Sequence, residues 1–360
     1  MDPFDAADLR PRVQACLEAE LVHQRTVLAD LGPDIADLVD VIGTLLRGGK
    51  RLRAGFLYWG YRAAGGRDSA ALIRAASAME MFQAAALIHD DVMDDSDTRR
   101  GQPAAHRTLA AWHTDRAWGG DADRFGLAGA ILAGNLCLNW TEELYATSGL
   151  PAYELARGRE VFDRMRTQLM AGQFLDMVES VRPWDSTQVT DRVARSRRVI
   201  TYKSAKYSIE HPLLIGASAG GLPSTELAGL SAYGLDLGTA FQLRDDLLGV
   251  FGDPETTGKP AGDDLREGKR TVLLAYALDG ADASGRAALS AGVGAADLDE
   301  HGVDALRTIM VASGAVARVE SDIAELTIRA RSALATLDGL DETAAAALDA
   351  LIGLTTARQA

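Results

Sequence analysis

Cysteine is nearly absent: Cys16 and Cys137 are the only two in 360 residues. That excludes a disulfide framework and a cysteine-based zinc site, and it fits a reducing, cytoplasmic compartment. Positive charge is also in deficit, with 37 Lys and Arg against 51 Asp and Glu and a formal net charge of −14. Such a balance argues against a nucleic-acid partner, whose phosphates require a basic face. No unbroken apolar stretch of about 18 residues occurs, so no membrane span is expected. The opening MDPFDAADLRPRV is acidic and lacks the apolar core of a signal peptide. Strand-like alternation is scarce, and no internal repeat, low-complexity tract or obvious linker interrupts the chain.

What is present is a helical pattern. Hydrophobic residues make up 47% of the chain, enough for a large core, and the Ala- and Leu-rich windows fit a helical period. The pattern predicts helices over 6–30, 34–46, 50–64, 69–95, 107–117, 125–148, 151–180, 187–219 (kinked or broken at Pro212), 224–250, 269–279, 284–291, 302–335 (broken near Gly314) and 341–356. Residues 98–107 and 252–268 read as loops, the second as a mobile lid from its length and Gly/Pro content. One all-α domain, residues 1–360, is expected.

Two stretches carry chemistry. The first, LIHDDVMDDSDTRRG at 87–101, sets Asp90, Asp91, Asp94, Asp95 and Asp97 ahead of Arg99 and Arg100. Asp90 and Asp94 are one helical turn apart on one face. Two carboxylates so placed repel unless a cation lies between them, and their hard oxygens suit Mg²⁺ shared with substrate phosphates. The guanidiniums that follow suit phosphate oxygens. An acidic cluster at a helix C-terminus also opposes the helix dipole, which favours a bound cation over a purely structural role. A solvated helix face and a metal-phosphohydrolase dyad of His89 with Asp90 are the competing readings. The second stretch, FQLRDDLLGVFGDPETTGKPAGDDLREGKR at 241–270, repeats the theme with Asp245 and Asp246 on a helix and Lys259, Asp263, Asp264, Lys269 and Arg270 behind. Two acidic helices, each followed by a basic loop, would clamp one polyphosphate.

GGKRLR at 48–53, LIHDDVMD at 87–94, RRG at 99–101, GQFLD at 172–176, YKSA at 202–205, FQLRDD at 241–246 and GKPAGDDLREGKRT at 258–271 together resemble the trans-prenyltransferases of the polyprenyl diphosphate synthase family, over nearly the whole chain. The resemblance implies the isoprenoid synthase fold, a bundle of long helices around a central apolar cavity. It also implies head-to-tail condensation of isopentenyl diphosphate with an allylic diphosphate, releasing pyrophosphate. About three Mg²⁺ ions would bridge the allylic diphosphate to Asp90, Asp94 and Asp245, with Asp91, Asp246 and Lys203 also catalytic. Lys50, Arg53 and Arg100 resemble the isopentenyl diphosphate ligands, with Gln83 where many members have His. Arg99, Lys203 and Lys259 resemble the allylic diphosphate ligands. Ser204 stands where the family commonly has Thr, and the resemblance implies that Gln242 and Lys269 reach toward the diphosphate. Gln173 and Asp176 would orient Lys203 or a metal-bound water. The family usually forms homodimers through helices near the first acidic helix. One departure stands out: the second motif is DDLLG, with Gly249 where the family has its last Asp.

Farnesyl-length members commonly carry bulky residues four and five positions before the first Asp. Here those positions are Ala86 and Ala85, so the cavity opens further, and Phe82 becomes the next floor about one turn deeper. A twenty-carbon product is expected, with twenty-five carbons as the outer alternative. A terpene cyclase would lack GGKRLR and replace the second Asp pair. A non-catalytic regulatory subunit would lose the first aspartate motif, which is intact.

Overall fold

The structure, a computed structural model, describes residues 2–184, 187–252 and 262–356. It is all-α. The helices are α1 (Pro3–Ala6), α2 (Leu9–Val27), α3 (Asp34–Leu46), α4 (Leu52–Ala63), α5 (Ala70–Met93), α6 (Ala105–Asp115), α7 (Ala122–Ala146), α8 (Ala152–Val181), α9 (Val189–Val199), α10 (His211–Gly220), α11 (Ser224–Phe251), α12 (Asp263–Arg266), α13 (Val272–Gly280), α14 (Ala283–Gly292), α15 (Glu300–Ala312), α16 (Ala315–Ala335) and α17 (Glu342–Thr356). A π-helical segment, Ile200–Glu210, joins α9 to α10. The described chain divides into two compact units: residues 1–160, 212–223 and 340–347, and residues 161–211, 224–339 and 348–360.

In the first unit, α5 packs along α7 and against α2, α3 and α4. Its start is set by Ser69, whose hydroxyl accepts a hydrogen bond from the Leu72 N–H at 3.1 Å. Its interior is Ala-rich, and Leu72, Ala75, Met79, Phe82 and Ala85 are fully buried. Contrary to the sequence expectation, this helix is long and apolar enough to cross a bilayer by length and composition. However, 72% of its apolar window is buried inside the chain, as in a core helix. In the second unit, α11 packs against α16 and the π segment. Here the core gathers Leu243, Leu247, Val272, Leu289, Val319 and their neighbours.

Three local expectations change. The predicted 6–30 helix is interrupted at Asp8, whose φ of 49° starts α2 afresh. The predicted 98–107 loop contains a two-residue antiparallel ladder, Thr98–Arg99 against Gln102–Pro103. Its central residues, Arg100 and Gly101, have φ of 55° and 72°, the positive pair of a tight type I′-like hairpin turn. The 187–219 helix is not broken at Pro212: the chain stays helical, and the His211 N–H reaches back to the Lys206 carbonyl in a π-type bond. The helix from 302 does stop, at Gly314 with φ 79°. Most of the predicted 252–268 lid lies outside the described residues; of the rest, Asp263–Arg266 forms one helical turn.

The end of the π segment buries His211, 2% exposed. Burial, then Lys206 and Arg164, push its imidazole down to about 3 from 6.5. A histidine that charges more readily unfolded than folded leaves stability intact above pH 6.5 and removes it as pH falls from there toward 3. The expected loss between pH 7 and pH 5 from this group is about 2 kcal/mol. Urea titrations of wild type and His211→Gln at the two pH values check it: the variant should lose less stability on acidification, and equal losses would refute the assignment.

Candidate active site

Each aspartate-rich motif closes or nearly closes a long helix. In the first unit, α5 ends at Met93, and the Asp94 N–H bonds the Asp90 carbonyl at 2.8 Å. Asp90 and Asp94 are half-buried, while Asp91 turns inward and is 1% exposed. Arg99, held by the hairpin, donates from Nε to Asp91 Oδ1 at 2.8 Å and from Nη2 to the same oxygen. It also lies 3.5 Å from Asp90 Oδ2. Asp91 thus positions Arg99, and the guanidinium stands beside the first predicted metal ligand. Asp95 and Asp97 are taken up by Arg107, at 3.0 and 2.9 Å, on the exposed surface. His89 Nε2 lies 3.3 Å from the Ile131 carbonyl of α7, so that ring nitrogen is engaged by the neighbouring helix.

The guanidiniums converge. Arg100 Nη1 donates to the Leu45 carbonyl at 2.9 Å. The same group sits over Gly49, where a Cβ would come 3.4 Å from Nη2 and where φ is 91°. Its pKa is lowered, first by the packing around it; Glu80 opposes this, and Arg51, Arg53 and Arg99 add to it. Arg51 is 4% exposed, with its own φ at 54°. It is 3.5 Å from the buried carboxylate of Glu80, whose other oxygen accepts the Ala54 N–H at 3.0 Å. A cleft in this unit is lined by Leu45, Arg51, Glu80, Gln83, Leu87 and Arg100 among others. Gln83 therefore lines the same cleft as Arg100. Lys50 is exposed just ahead of α4, and Arg53 is in its first turn.

Below Asp90, α5 shows two faces. Ala86 and Gln83 are half-buried like Asp90, whereas Ala85 and Phe82 are 0% and 1% exposed. At about 100° per residue, Gln83 comes back under Asp90 and Phe82 lies about 80° round the helix. Phe82 and Ala85, three apart, share the buried face.

In the second unit, α8 crosses the π segment at Gly172, where a Cβ would stand 2.5 Å from the Tyr202 carbonyl carbon and 2.6 Å from the Lys203 nitrogen. Only glycine permits that approach, and it brings Lys203 Nζ to 2.6 Å from Asp176 Oδ2. Ser204 donates to the Gln242 amide oxygen, and Gln242 Nε2 donates to Asp246 Oδ1 at 2.8 Å. Gln173 is half-buried and Asp245 exposed. Asp246 is 6% exposed, and burial, with the charges of Asp264 and Asp245, pushes its carboxyl up to about 8 against the pull of Gln242 and Lys269. Lys269 Nζ binds Asp264 Oδ1 at 3.0 Å and Glu267 at 2.6 Å. A buried carboxyl crowded by two others in this way fits a site that takes up a cation. Lys259 lies outside the described residues.

Among the described residues, the carboxylate–histidine group compact enough to share one ion unaided is Glu20, His23 and Glu143. None of these was predicted. Gln24 Nε2 donates to both carboxylates, at 2.7 and 2.8 Å, and Arg74 is 2.9 Å from Glu20, so part of that cluster's donor capacity is already taken. The residues that sequence reasoning missed are Arg51 and Glu80. The available signal was a lone Glu in the apolar run SAMEMFQAAA, since a buried carboxylate requires a partner.

Comparison with known proteins agrees. The sequence model of the polyprenyl synthetase family matches residues 36–310. A crystal structure of geranylgeranyl pyrophosphate synthase from Corynebacterium glutamicum, complexed with isoprenyl diphosphate and magnesium, superposes with a TM-score of 0.92 at 39% identity, covering 98% of this chain and 99% of that one. A geranylfarnesyl diphosphate synthase of Aeropyrum pernix is 33% identical over 82% of this chain and 85% of its own length. A nonaprenyl diphosphate synthase of Mycobacterium tuberculosis is 29% identical over 96% and 91%. The chain belongs to the polyprenyl synthetase family and is a trans-prenyltransferase with the all-α isoprenoid synthase fold.

Proposed function

We propose that this protein is a Mg²⁺-dependent geranylgeranyl diphosphate synthase, joining isopentenyl diphosphate to allylic diphosphates and acting as one domain over its whole length. The observation that carries the reading is the gathering of guanidiniums in the first unit: Arg51 and Arg100 line one cleft with Gln83, and Arg99 stands 3.5 Å from Asp90. Cations are pressed together in this way where an anion is to lie among them. In this reading Arg100, Arg53, Lys50 and Gln83 receive isopentenyl diphosphate. Arg99, Lys203, Lys259, Lys269, Ser204 and Gln242 serve the allylic diphosphate. Asp90, Asp94 and Asp245 hold about three ions; when bound, these would neutralise charge on the departing diphosphate. Asp91 fixes Arg99, Asp176 fixes Lys203, and Gln242 links Ser204 to Asp246; each arrangement sets a charged or polar group before substrate arrives, which lowers the reorganisation that reaction requires. A homodimer fits the exposed Ile131 and Leu132 of α7, at 46% and 58%.

Twenty carbons follow from Ala85 and Ala86, too small to stop a fifteen-carbon chain, with Phe82 beneath Ala85 on the buried face of α5. The Aeropyrum relative's name favours the second reading, twenty-five carbons. Incubating the purified protein with Mg²⁺, labelled isopentenyl diphosphate and dimethylallyl, geranyl or farnesyl diphosphate, then analysing the dephosphorylated products, tests both. The expected product is mainly twenty carbons long. Phe82→Ala should lengthen it by one or two units and Ala85→Phe should shorten it by one. Unchanged products from both variants would sink the floor, and no condensation with any starter would sink the synthase reading in favour of a non-catalytic subunit.

A further inference from the structure

We infer that Gln14, on α2, is a positioning residue for the isopentenyl diphosphate site: through Arg51 it sets the turn that carries Lys50. The inference rests on the synthase reading above, which assigns Lys50, Arg53, Arg100 and Gln83 to that substrate.

The turn has to be held. Gly48, Gly49 and Arg51 have φ of 68°, 91° and 54°, so left-handed residues flank Lys50 on both sides. Glycine adopts that conformation freely, but Arg51 carries a side chain, and such a backbone persists only where its surroundings over-determine it. Arg51 supplies the restraint itself. Its side chain is 3% exposed, with Nη1 3.5 Å from Glu80 Oε2 on α5. Its Nη2 donates to the Leu46 carbonyl at 2.5 Å and also to Gln14 Oε1. Leu46 and Glu80 lie within residues 36–310, which the family model matches. Gln14 lies ahead of them and in none of the motifs.

The amide of Gln14 can face only one way. Its Nε2 donates to Glu18 Oε1 at 2.8 Å, one turn along α2. An ionised carboxylate only accepts and a guanidinium only donates, so the amide nitrogen must meet Glu18 and the oxygen must meet Arg51. The start of α2 is itself seated. Arg12 forms a two-pronged pair with Asp68, at 2.8 and 3.0 Å, and donates to the Ala7 carbonyl at 3.0 Å. Ahead of it, Phe4 of α1 is 2% exposed. A Cβ on Gly55 would stand 2.4 Å from the Phe4 ring, so that ring lies against the backbone of α4 one turn past Arg51, with the Arg10 guanidinium 4.6 Å over it. The two N-terminal helices thus hold the start of α4 at two points, and the contact made by Gln14 is the one that ends at the substrate-binding turn.

The test compares Gln14→Met, Gln14→Asn and Gln14→Glu in steady-state condensation on the full-length protein, varying isopentenyl diphosphate and geranyl diphosphate in turn, beside melting temperatures. Methionine keeps the length and loses the acceptor. Asparagine keeps the amide but withdraws it by one methylene. Glutamate keeps an oxygen toward Arg51. The first two should raise the KM for isopentenyl diphosphate about tenfold, the scale of one hydrogen bond to a charged group. Their kcat and their KM for geranyl diphosphate should stay within about twofold of wild type, the pattern of lost binding to one substrate. Gln14→Glu should restore most of the affinity. A residue that only stabilised the fold would lower the melting temperature and the active fraction and leave both KM values in place. Unchanged KM for isopentenyl diphosphate in Gln14→Asn would overturn the inference even if Gln14→Met fails to fold. Equal rises in the two KM values, or a Gln14→Glu protein as weak as Gln14→Asn, would overturn it as well. Wild-type protein that condenses isopentenyl diphosphate with no starter would overturn the synthase reading itself, and this assignment with it.

Discussion

Asp90→Ala lowers kcat/KM for condensation by about a thousandfold, the scale of losing one fixed electrostatic contact to the transition state, while leaving the protein as stable as before or slightly more so. The two halves of this expectation have one cause. Asp90, Asp91 and Asp94 sit at the C-terminal end of α5, where the carbonyl end of the helix repels negative charge; each exposed charge there costs about 0.3–1 kcal/mol. A carboxylate that makes its own helix less stable is retained for what it binds. Arg99, 3.5 Å from Asp90, offsets part of the repulsion, but its closer contact is with Asp91, and that contact survives the substitution. Initial rates at saturating Mg²⁺ and urea unfolding of the same preparations give both numbers. A variant that loses activity and several kcal/mol of stability together would show that Asp90 is a structural residue.

Glu80→Ala should be the most destabilising single substitution on α5, at about 3–5 kcal/mol. Glu80 and Arg51 have side chains 2% and 3% exposed and stand 3.5 Å apart. Removing the carboxylate strands a buried guanidinium and also the Ala54 N–H, which Glu80 accepts at 3.0 Å near the start of α4. Arg51 further donates to the Leu46 carbonyl at 2.5 Å, so the loss would spread to the Gly48–Gly49 turn against which Arg100 lies. Glu80→Gln keeps the acceptor for Ala54 and should cost less. The double replacement Glu80→Met with Arg51→Leu should cost less than Glu80→Ala, because no charge is left unpaired. Denaturant midpoints rank the three, and a Glu80→Ala midpoint at the wild-type value would refute the account.

The helices were legible because their punctuation is explicit: Gly32-Pro33, Gly65-Gly66 and Gly314 bound segments found within a few residues of the expected limits. The Arg100-Gly101 turn was not, because a non-glycine residue at positive φ carries no reliable mark in sequence. The continuity through Pro212 was missed for a different reason. Proline forbids the ordinary α bond, and nothing local announces that the preceding turn widens to accommodate it. At the candidate site, the residues proposed to meet ligands mostly stand in motifs, and Lys203 and Arg100 were visible on that account. Residues that hold those groups are dispersed: Glu80 lies ten positions before Asp90, and Gln14 meets Arg51 across 37 residues. Only folding brings such partners together.

The π-helical stretch Ile200–Glu210 changes how length variation here should be understood. Wide turns of this kind hold surplus residues within an otherwise regular helix, so removing one residue need not shorten a loop or open a gap. It would tighten the winding and re-aim the residues inside the stretch, by up to about 100°. Lys203 and Ser204 lie inside that stretch, and α9 precedes it. A one-residue deletion between Val199 and His211 is therefore a rotation, swinging an ammonium and a hydroxyl to a new bearing while every residue type survives. When relatives are aligned across this region, a single gap should be counted as a change of direction at the site, and matching lysines on either side of it should not be assumed to point alike.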